Sequence, residues 1–381
     1  MWNNLRVLDS HVHYAWPITP DSLTSILAKT DTDMACLAAL PGCGRLNPTL
    51  DILAYKHRYP ETTFAFGCLD CTAYGNKKNL GVFFIKEVKR LLSLGCDGLK
   101  LLEGKPTMRR MFDIPDFDDP QWEPFWAFAE ECQLPILWHV NDPEIFWDAI
   151  RIPAFAKSAG WGYGPDDVNN EHQYRQVRTV MERHPQLNIT FAHMFFLSAQ
   201  LIRLSEWLER FPHMHVDLTP GIELYENLSN TPDDARMFFE RFCSRILYGT
   251  DIGGRATLNG TIMKLDEKES TLRVRYERAF LTDKASVGIR SDGHFLVHSD
   301  PFVLHGLGLP DEMLQKILYA NFISFVGCES PFPVNVDLCI KECAHIRRTL
   351  RAYASGLELA PDFRAVEADK RYFEKVKAES I

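Results

Sequence analysis

The chain has 381 residues, 46% of them hydrophobic, which is enough for one large α/β domain or two ordinary ones. Its formal net charge of −9 argues against a nucleic-acid partner, because such binding depends on clustered lysine and arginine facing phosphates. No segment approaches the roughly 18 apolar residues of a membrane span, and Met1–Asn4 lacks the basic and apolar regions of a signal peptide. We therefore expect a cytoplasmic protein that acts on a small molecule, with no membrane or nucleic-acid partner.

The first apolar run of the chain leads into Asp9-Ser10-His11-Val12-His13. Side chains alternate faces along a strand, so His11 and His13 point the same way and their imidazoles can reach one ion. A single His-x-His also occurs by chance on surface strands. Other residues must therefore decide whether this pair belongs to a metal site.

Short apolar runs alternate with stretches of helical periodicity along most of the chain, which is typical of parallel βαβ units. Eight such runs predict a closed (β/α)8 TIM barrel, although an open sheet with a second domain remains an alternative. No Gly-rich dinucleotide turn follows the first run, which disfavours that alternative. The predicted strands are 6–9, 33–40, 63–69, 98–102, 135–140, 188–193, 214–218 and 245–250.

The pattern breaks after the eighth predicted strand, where a long loop insertion spans residues 256–310. Within it, the charged segment at 263–280 is predicted to be a helix. Insertions of this kind lie on the face of a barrel that carries active sites. We expect a catalytic domain over residues 1–327. Residues 328–381 are expected to form a C-terminal helical extension packed on the barrel.

Polar side chains stand at the predicted carboxyl ends of different strands, which is where catalytic groups of such barrels lie. Besides His11 and His13, these are His139, His193 and Asp251. Imidazole nitrogen and carboxylate oxygen are ligands that Zn²⁺ accepts, and a catalytic zinc keeps one position for water. Taken singly, each histidine is compatible with a hydrogen-bonded core residue, and Asp251 with a helix cap. Their joint placement favours a metal site.

In this order, the motifs of the chain resemble those of the amidohydrolase superfamily, in the branch that contains aminocarboxymuconate semialdehyde decarboxylase and related metal-dependent hydrolases. The resemblance covers roughly residues 5–327 and is specific for fold and metal site rather than for substrate. It rests on His11-Val12-His13, Gly98-Leu99-Lys100-Leu101, Pro135-Ile136-Leu137-Trp138-His139, Phe191-Ala192-His193, Arg245-Ile246-Leu247-Tyr248-Gly249-Thr250-Asp251 and Ile317-Leu318-Tyr319-Ala320-Asn321.

The resemblance implies that His11, His13, His139 and Asp251 hold one divalent metal, usually zinc, with a water. His193 would stand beside the metal without necessarily binding it. Asp251 is then expected to act as general base and His193 to donate to a developing oxyanion. A homodimer is a further expectation from the resemblance.

The role of Lys100, at the end of the fourth predicted strand, has three possible interpretations. Binuclear members of the superfamily carry a carboxylated lysine there that bridges two metals. In the branch that the chain resembles, a lysine at this place more often contacts an anionic group of the substrate. A structural salt bridge, for example with Glu103, is the third reading. We expect an unmodified Lys100 and a single metal.

Arg109 and Arg255 lie in loops that follow predicted strands and are weaker candidates for substrate contact. A positive group near the metal favours a substrate that bears a carboxylate. The chain is thus expected to be a metal-dependent hydrolase of an amide, ester or lactone. The alternatives are a non-oxidative decarboxylase of an unsaturated or aromatic acid, and a non-catalytic metal-binding protein with a closed ligand shell.

Overall fold

A ring of parallel strands forms the centre of the molecule. The computed structural model describes residues 5–41, 47–75, 78–256, 262–263, 265–289, 301–356 and 360–379, with backbone alone at 255–256, 262–263 and 289. The ring has eight strands that pair in sequence order, each parallel to the next. They are β1 (Leu8–Val12), β2 (Met34–Ala38), β3 (Thr63–Cys68), β4 (Gly98–Gly104), β5 (Ile136–Val140), β6 (Ile189–Phe191), β7 (Met214–Asp217) and β8 (Ile246–Leu247).

Main-chain hydrogen bonds between β1 and the segment that follows β8 close the ring. The amide of Ser10 donates to the carbonyl of Tyr248 over 2.9 Å, and the amide of Asp251 donates to the carbonyl of His11 over 2.9 Å. Gly253 then pairs with His13 at φ 112°, where an added Cβ would lie 1.8 Å from the His13 carbonyl oxygen. Only glycine fits this approach, which brings the two ends of the ring together.

Helices cover the outside of the ring between the strands, so the predicted (β/α)8 barrel is confirmed. The eighth strand, β8, is much shorter than its predicted run at 245–250. The barrel helices are α1 (Pro20–Lys29), α2 (Thr49–Arg58), α3 (Leu80–Leu94), α4 (Pro106–Met111), α5 (Glu123–Glu131), α6 (Ala154–Ser158), α7 (Asn170–Arg183), α8 (Leu201–Arg210), α9 (Leu224–Asn230) and α10 (Pro232–Phe242).

The chain after β8 forms two short antiparallel hairpins and five further helices within the described residues. None of the helices described is long and apolar enough to span a bilayer. The predicted domain bounds at 327 and 328 stay a prediction. The elements are β9 (Arg255–Ala256), β10 (Ile262–Met263), α11 (Glu267–Thr282), β11 (Ser286–Ile289), β12 (Phe302–His305), α12 (Asp311–Gln315), α13 (Asn321–Val326), α14 (Val336–Gly356) and α15 (Arg364–Glu379).

Aromatic side chains fill the barrel at the amino ends of its strands. Phe322 and Phe325 of α13 pack there against Phe64 and Phe66 of β3, with the Phe64 and Phe322 ring centroids 5.1 Å apart. All four side chains are almost fully buried. Burying such a cluster stabilises the fold by roughly 1.5–3 kcal/mol per side chain. These side chains therefore close the amino end of the barrel.

Candidate active site

His11 and His13 lie at the carboxyl end of β1, and both are held by their Nδ1 atoms. The Nδ1 of His11 lies 2.8 Å from Oδ2 of Asp217, and the Nδ1 of His13 lies 2.7 Å from the carbonyl oxygen of Ala38. A carbonyl can only accept, so His13 carries its proton on Nδ1, and the carboxylate favours the same tautomer in His11. The Nε2 atoms of both rings are thereby left as acceptors.

Asp251 completes a group of three residues whose possible ligand atoms all lie within 4.8 Å of one another, together with His11 and His13. Its Oδ1 lies 2.9 Å from Nε2 of His13. The backbone of Asp251 is left-handed, with φ 54°, and it occurs in the turn that closes the barrel. Such conformations in a residue other than glycine are uncommon and often mark functional sites.

A buried arginine from the insertion fixes the turn that carries Asp251. Arg273 of α11 is 3% exposed, and its Nη1 donates to the carbonyl oxygens of Thr250 at 3.2 Å and Asp251 at 3.0 Å. Its Nε and Nη2 donate to Glu269. Asp266, Glu267 and Lys268, at the start of this helix, are exposed. The burial of charged residues further along α11 is not visible in its sequence.

His193 follows β6 in a stretch of left-handed backbone that runs from His193 to Phe196, with φ between 49° and 59°. Its Nδ1 lies 3.1 Å from both the carbonyl oxygen and the hydroxyl of Thr219. That hydroxyl donates to Asp217 over 2.5 Å, so Nδ1 of His193 must be the donor in these contacts. In its neutral form, His193 therefore offers Nε2 as an acceptor, and it donates from that atom only after taking up a proton.

Asp217, at the end of β7, connects two of these histidines and was missed in the sequence. Its Oδ2 accepts from the ring of His11, while its Oδ1 accepts from the backbone amide of His193 at 2.8 Å. The side chain is fully buried, and burial raises the pKa of its carboxyl. A carboxylate behind a ligating histidine orients the ring and raises its basicity. An acidic residue inside a predicted strand was the available signal.

Asp9 of β1 hydrogen-bonds to the turn that leads to Asp251. Its Oδ2 accepts from the hydroxyl of Thr250 at 2.5 Å, and its Oδ1 accepts from the amides of Thr250 and His11 at 3.1 Å. Burial raises the pKa of Asp9 to about 7. Asp9 thus links β1 to the turn before Asp251 without reaching the cavity.

His139 at the end of β5 faces the same cavity but lies outside the close group of three ligand atoms. Its ring centroid is 4.9 Å from that of His193, and its Nε2 lies 2.9 Å from the carbonyl oxygen of Asn141. The carbonyl holds the proton on Nε2, which leaves Nδ1 as the acceptor. Its role as a fourth metal ligand stays a prediction.

Burial keeps the imidazoles of His11, His139 and His193 neutral at pH 7. It lowers the pKa of His139 to about 4 and that of His193 to about 3, and it lowers the pKa of His11 strongly. Nearby positive charge adds to the effect in each case, from Lys100 among others. Neutral imidazole is the form that binds a metal ion.

The three residues predicted to contact substrate lie in different places. Lys100 is buried, and its Nζ lies 3.3 Å from Nε2 of His11. Arg109 does not line the cavity, because its guanidinium binds Asp116 at 2.6 Å and Gln176 at 3.2 Å. The side chain of Arg255 lies outside what the structure describes.

A cavity of about 750 Å³, including its opening to solvent, adjoins the histidines and Asp251. It lies at the carboxyl ends of the strands, as predicted, and a structural metal with a closed shell would not need such a space. Its other lining residues include two cations and several aromatic rings. They are Leu40, Pro41, Lys100, Leu102, Lys105, Asp142, Pro143, Phe146, Trp161, Phe196, Pro220, Gly221 and Ile222.

The donor atoms of the site fit a metal cation. Nε2 of His13 and Oδ1 of Asp251 are both acceptors and lie only 2.9 Å apart, so they repel each other unless a positive charge lies beside them. Nε2 of His11 is a third acceptor within 4.8 Å. His11, His13 and Asp251 are thus able to hold a divalent ion through two nitrogens and one oxygen.

Comparison with solved structures agrees with the fold. A 5-carboxyvanillate decarboxylase from Sphingomonas paucimobilis is 13% identical with a TM-score of 0.52, and the match covers 85% of this chain and 100% of that one. A putative amidohydrolase from Staphylococcus aureus is 17% identical with a TM-score of 0.51 over 85% of this chain and 100% of that one. At these identities, the similarity establishes the fold alone.

A search of curated protein sequences finds no match. The model of the family described as Amidohydrolase matches residues 84–322, which is more than half of the chain and includes β4–β8, His139, His193 and Asp251. The protein therefore belongs to the amidohydrolase family and is an enzyme of the amidohydrolase superfamily.

Proposed function

We propose that the protein is a hydrolase that depends on one divalent metal ion, Zn²⁺ being the expected metal. Its substrate is a small molecule that bears a carboxylate and is cleaved at an amide, ester or lactone bond. The observation that carries the proposal is the pair of acceptors 2.9 Å apart, Nε2 of His13 and Oδ1 of Asp251, beside an open cavity. A bound cation, a second proton on His13 or the nearby ammonium of Lys100 relieves their repulsion, and metal analysis tests the first of these cases.

The predicted ligands are His11, His13 and Asp251, with His139 as a fourth. A divalent ion at this place supplies Lewis acidity and lowers the pKa of a water from about 15.7 toward 7. Asp217 and the carbonyl of Ala38 hold the first two imidazoles in the tautomer that presents Nε2. No rotation of the ring is needed when the ion enters, which favours binding.

Two groups of the chain are placed to move protons. Asp251 accepts a proton from the attacking water at its carboxylate, as the general base. His193 presents Nε2 as an acceptor, because Thr219 holds its Nδ1–H, and it relays to the leaving group the proton that Asp251 takes from the water. Donation from His193 to a developing oxyanion is expected only while its ring carries this second proton, because burial lowers its pKa to about 3.

Metal analysis of purified protein tests the ligand set. We expect one equivalent of Zn²⁺ per chain, and activity that a chelator removes and added Zn²⁺ restores. His13→Ala is expected to lose the metal, whereas His172→Ala is expected to keep it, because His172 lies on α7 and contacts Asp116. Full metal content in His13→Ala would contradict the proposal. Two equivalents together with a carbamate on Lys100 would indicate the binuclear form instead.

A decarboxylase of an aromatic or unsaturated acid is the second candidate. The aromatic rings of Phe146, Trp161 and Phe196 in the cavity wall favour it, because they suit a flat apolar body. The same donor set supports protonation of a carbon as well as attack by water. Release of carbon dioxide from aromatic acids, without hydrolysis of esters or lactones, would assign this reaction.

A further inference from the structure

We propose that Lys105 forms a subsite for the carboxylate of the substrate, on the cavity wall made by the segments after β4 and β5. The proposal rests on the proposed function, which it deepens by naming the substrate class: small planar carboxylates that lie against Trp161. Lys105 was not predicted from the sequence. It lines the cavity with Trp161, whereas Arg109 does not.

The packing of β4 against β5 determines where Lys105 lies. Gly104, the last residue of β4, is so close to β5 that an added Cβ would lie 2.5 Å from the carbonyl oxygen of His139. Lys105 follows immediately, and Asp142 follows β5. This approach brings the two side chains together at the mouth of the barrel. The helix α4 then begins at Pro106 and leads the chain away from the cavity.

Several contacts hold the ammonium of Lys105 in one position. Its Nζ lies 2.6 Å and 2.7 Å from the two carboxylate oxygens of Asp142 and 4.5 Å from the ring centroid of Trp161. The hydroxyl of Tyr163 donates to the same carboxylate over 2.5 Å. Lysine loses up to roughly 2 kcal/mol of rotamer entropy when it is immobilised. Because Lys105 is already immobilised before a ligand binds, this entropy cost does not reduce the binding free energy of an anion.

The ammonium of Lys105 keeps one donor for a ligand. It has three N–H groups, and two of them are directed at Asp142. No third acceptor hydrogen-bonds this atom among the residues that the structure describes. Lys105 is 8% exposed, and it borders the cavity. A carboxylate in the cavity can therefore receive a charge-assisted hydrogen bond in a region with little water.

The charges around the cavity favour an anion. Among the described lining residues, Lys100 and Lys105 are balanced by Asp142 and Asp251. A divalent metal leaves this balance positive. Lys100 stands beside His11, with the metal ligands, while Lys105 stands beside Trp161. The two lysines therefore serve different parts of the cavity.

Binding of benzoate, with benzamide as its neutral counterpart, tests the subsite. Calorimetry on metal-free and Zn²⁺-loaded protein compares the wild type with Lys105→Met and Lys105→Arg. We expect Lys105→Met to weaken benzoate binding by about tenfold or more in both forms and to leave benzamide unchanged. Lys105→Arg should restore most of the affinity, because it keeps the charge. Lys157→Met, at an exposed lysine of α6, is the matched control.

The outcomes separate this proposal from the proposed function. Equal benzoate affinity in wild type and Lys105→Met, or no binding of benzoate to wild-type protein at millimolar concentrations, would overturn the subsite. Failure to bind metal would overturn the proposed function, yet a benzoate affinity that depends on Lys105 in metal-free protein would still support the subsite. Circular dichroism and thermal unfolding of Lys105→Met confirm that the variant folds.

Discussion

The two ends of the barrel each contain a buried lysine paired with an aspartate, and the surroundings of the two pairs differ. Lys56 and Asp97 form the pair at the amino ends of the strands, with Nζ 2.5 Å from Oδ2. Lys105 and Asp142 form the pair at the carboxyl ends, at 2.6 Å and 2.7 Å. The chemical groups are the same, so any difference in role comes from what surrounds them.

Protein groups enclose the pair at the amino end. Lys56 also donates to the carbonyl of Gly95, and Asp97 accepts from the amides of Ala65 and Phe332. Phe332 belongs to the segment that leads to α14, so this pair connects the C-terminal extension to the barrel. The pair at the carboxyl end borders the cavity instead. Breaking the enclosed pair leaves a buried charge unpaired, whereas Lys105 borders a cavity that a ligand can enter.

Of the variants considered, Asp251→Asn is expected to have the largest effect. It should lower the activity at the carboxyl end of the barrel without lowering the stability of the fold. Loss of the general base should lower kcat by about 10²–10⁴-fold, while the melting temperature stays close to that of the wild type. Steady-state kinetics and thermal unfolding of the same preparation measure both quantities. Full activity in this variant would exclude Asp251 as the base.

Lys56→Met is expected to have the opposite profile. It leaves the carboxylate of Asp97 buried without its ion pair, which should lower the free energy of unfolding by about 3–5 kcal/mol. Asp97→Asn in the same background should recover part of this loss. Denaturant unfolding gives the energies, and kcat at a temperature where the variant stays folded should be unchanged. A loss of kcat equal to that of Asp251→Asn would remove the distinction between the two ends.

His215 gives the amino end a dependence on pH. Its Nδ1 is buried with no hydrogen-bond partner among the residues that the structure describes. Burial and, to a lesser extent, the charge of Arg245 lower its pKa from 6.5 to about 3. Below pH 6.5, His215 therefore takes up a proton in the unfolded chain, while its imidazole stays neutral in the folded protein. The free energy of unfolding falls as the pH falls. From neutral pH to about pH 4.5, we expect wild type to lose roughly 2–3 kcal/mol more than His215→Gln. If the free energy of unfolding of wild type and of His215→Gln depended on pH in the same way, this assignment would be contradicted.

Asp217→Asn, at the carboxyl end of the barrel, is expected to have the smallest effect, a loss of metal affinity. The amide supports the imidazole of His11 less well than the carboxylate, so metal affinity should fall by about 10–100-fold. Competition with a chromogenic chelator measures the affinity. Because Asp217 is enclosed, some loss of stability should accompany the change. Unaltered metal affinity with lowered stability would show that Asp217 serves the fold alone.

The periodicity of the sequence was sufficient for the barrel, because amphipathic helices such as α3 and α10 are determined by local spacing. His11, His13 and Asp251 were predicted because each follows a strand. Asp217 and Lys105 were not, since their importance comes from contacts across the barrel; His11 and Asp217 are 206 positions apart in the chain. Arg109 shows the converse, because a loop position does not determine where a long side chain points.

Arg273 makes the insertion part of the catalytic end of the barrel. The carbonyls of Thr250 and Asp251 are held by a side chain of α11, so a local opening of this helix releases the turn that carries a predicted metal ligand. Exchange of the metal should then follow the opening of α11 and not the much slower unfolding of the barrel. The same dependence means that the insertion cannot be removed or exchanged for that of another family member without carrying Arg273 and its partner Glu269 along.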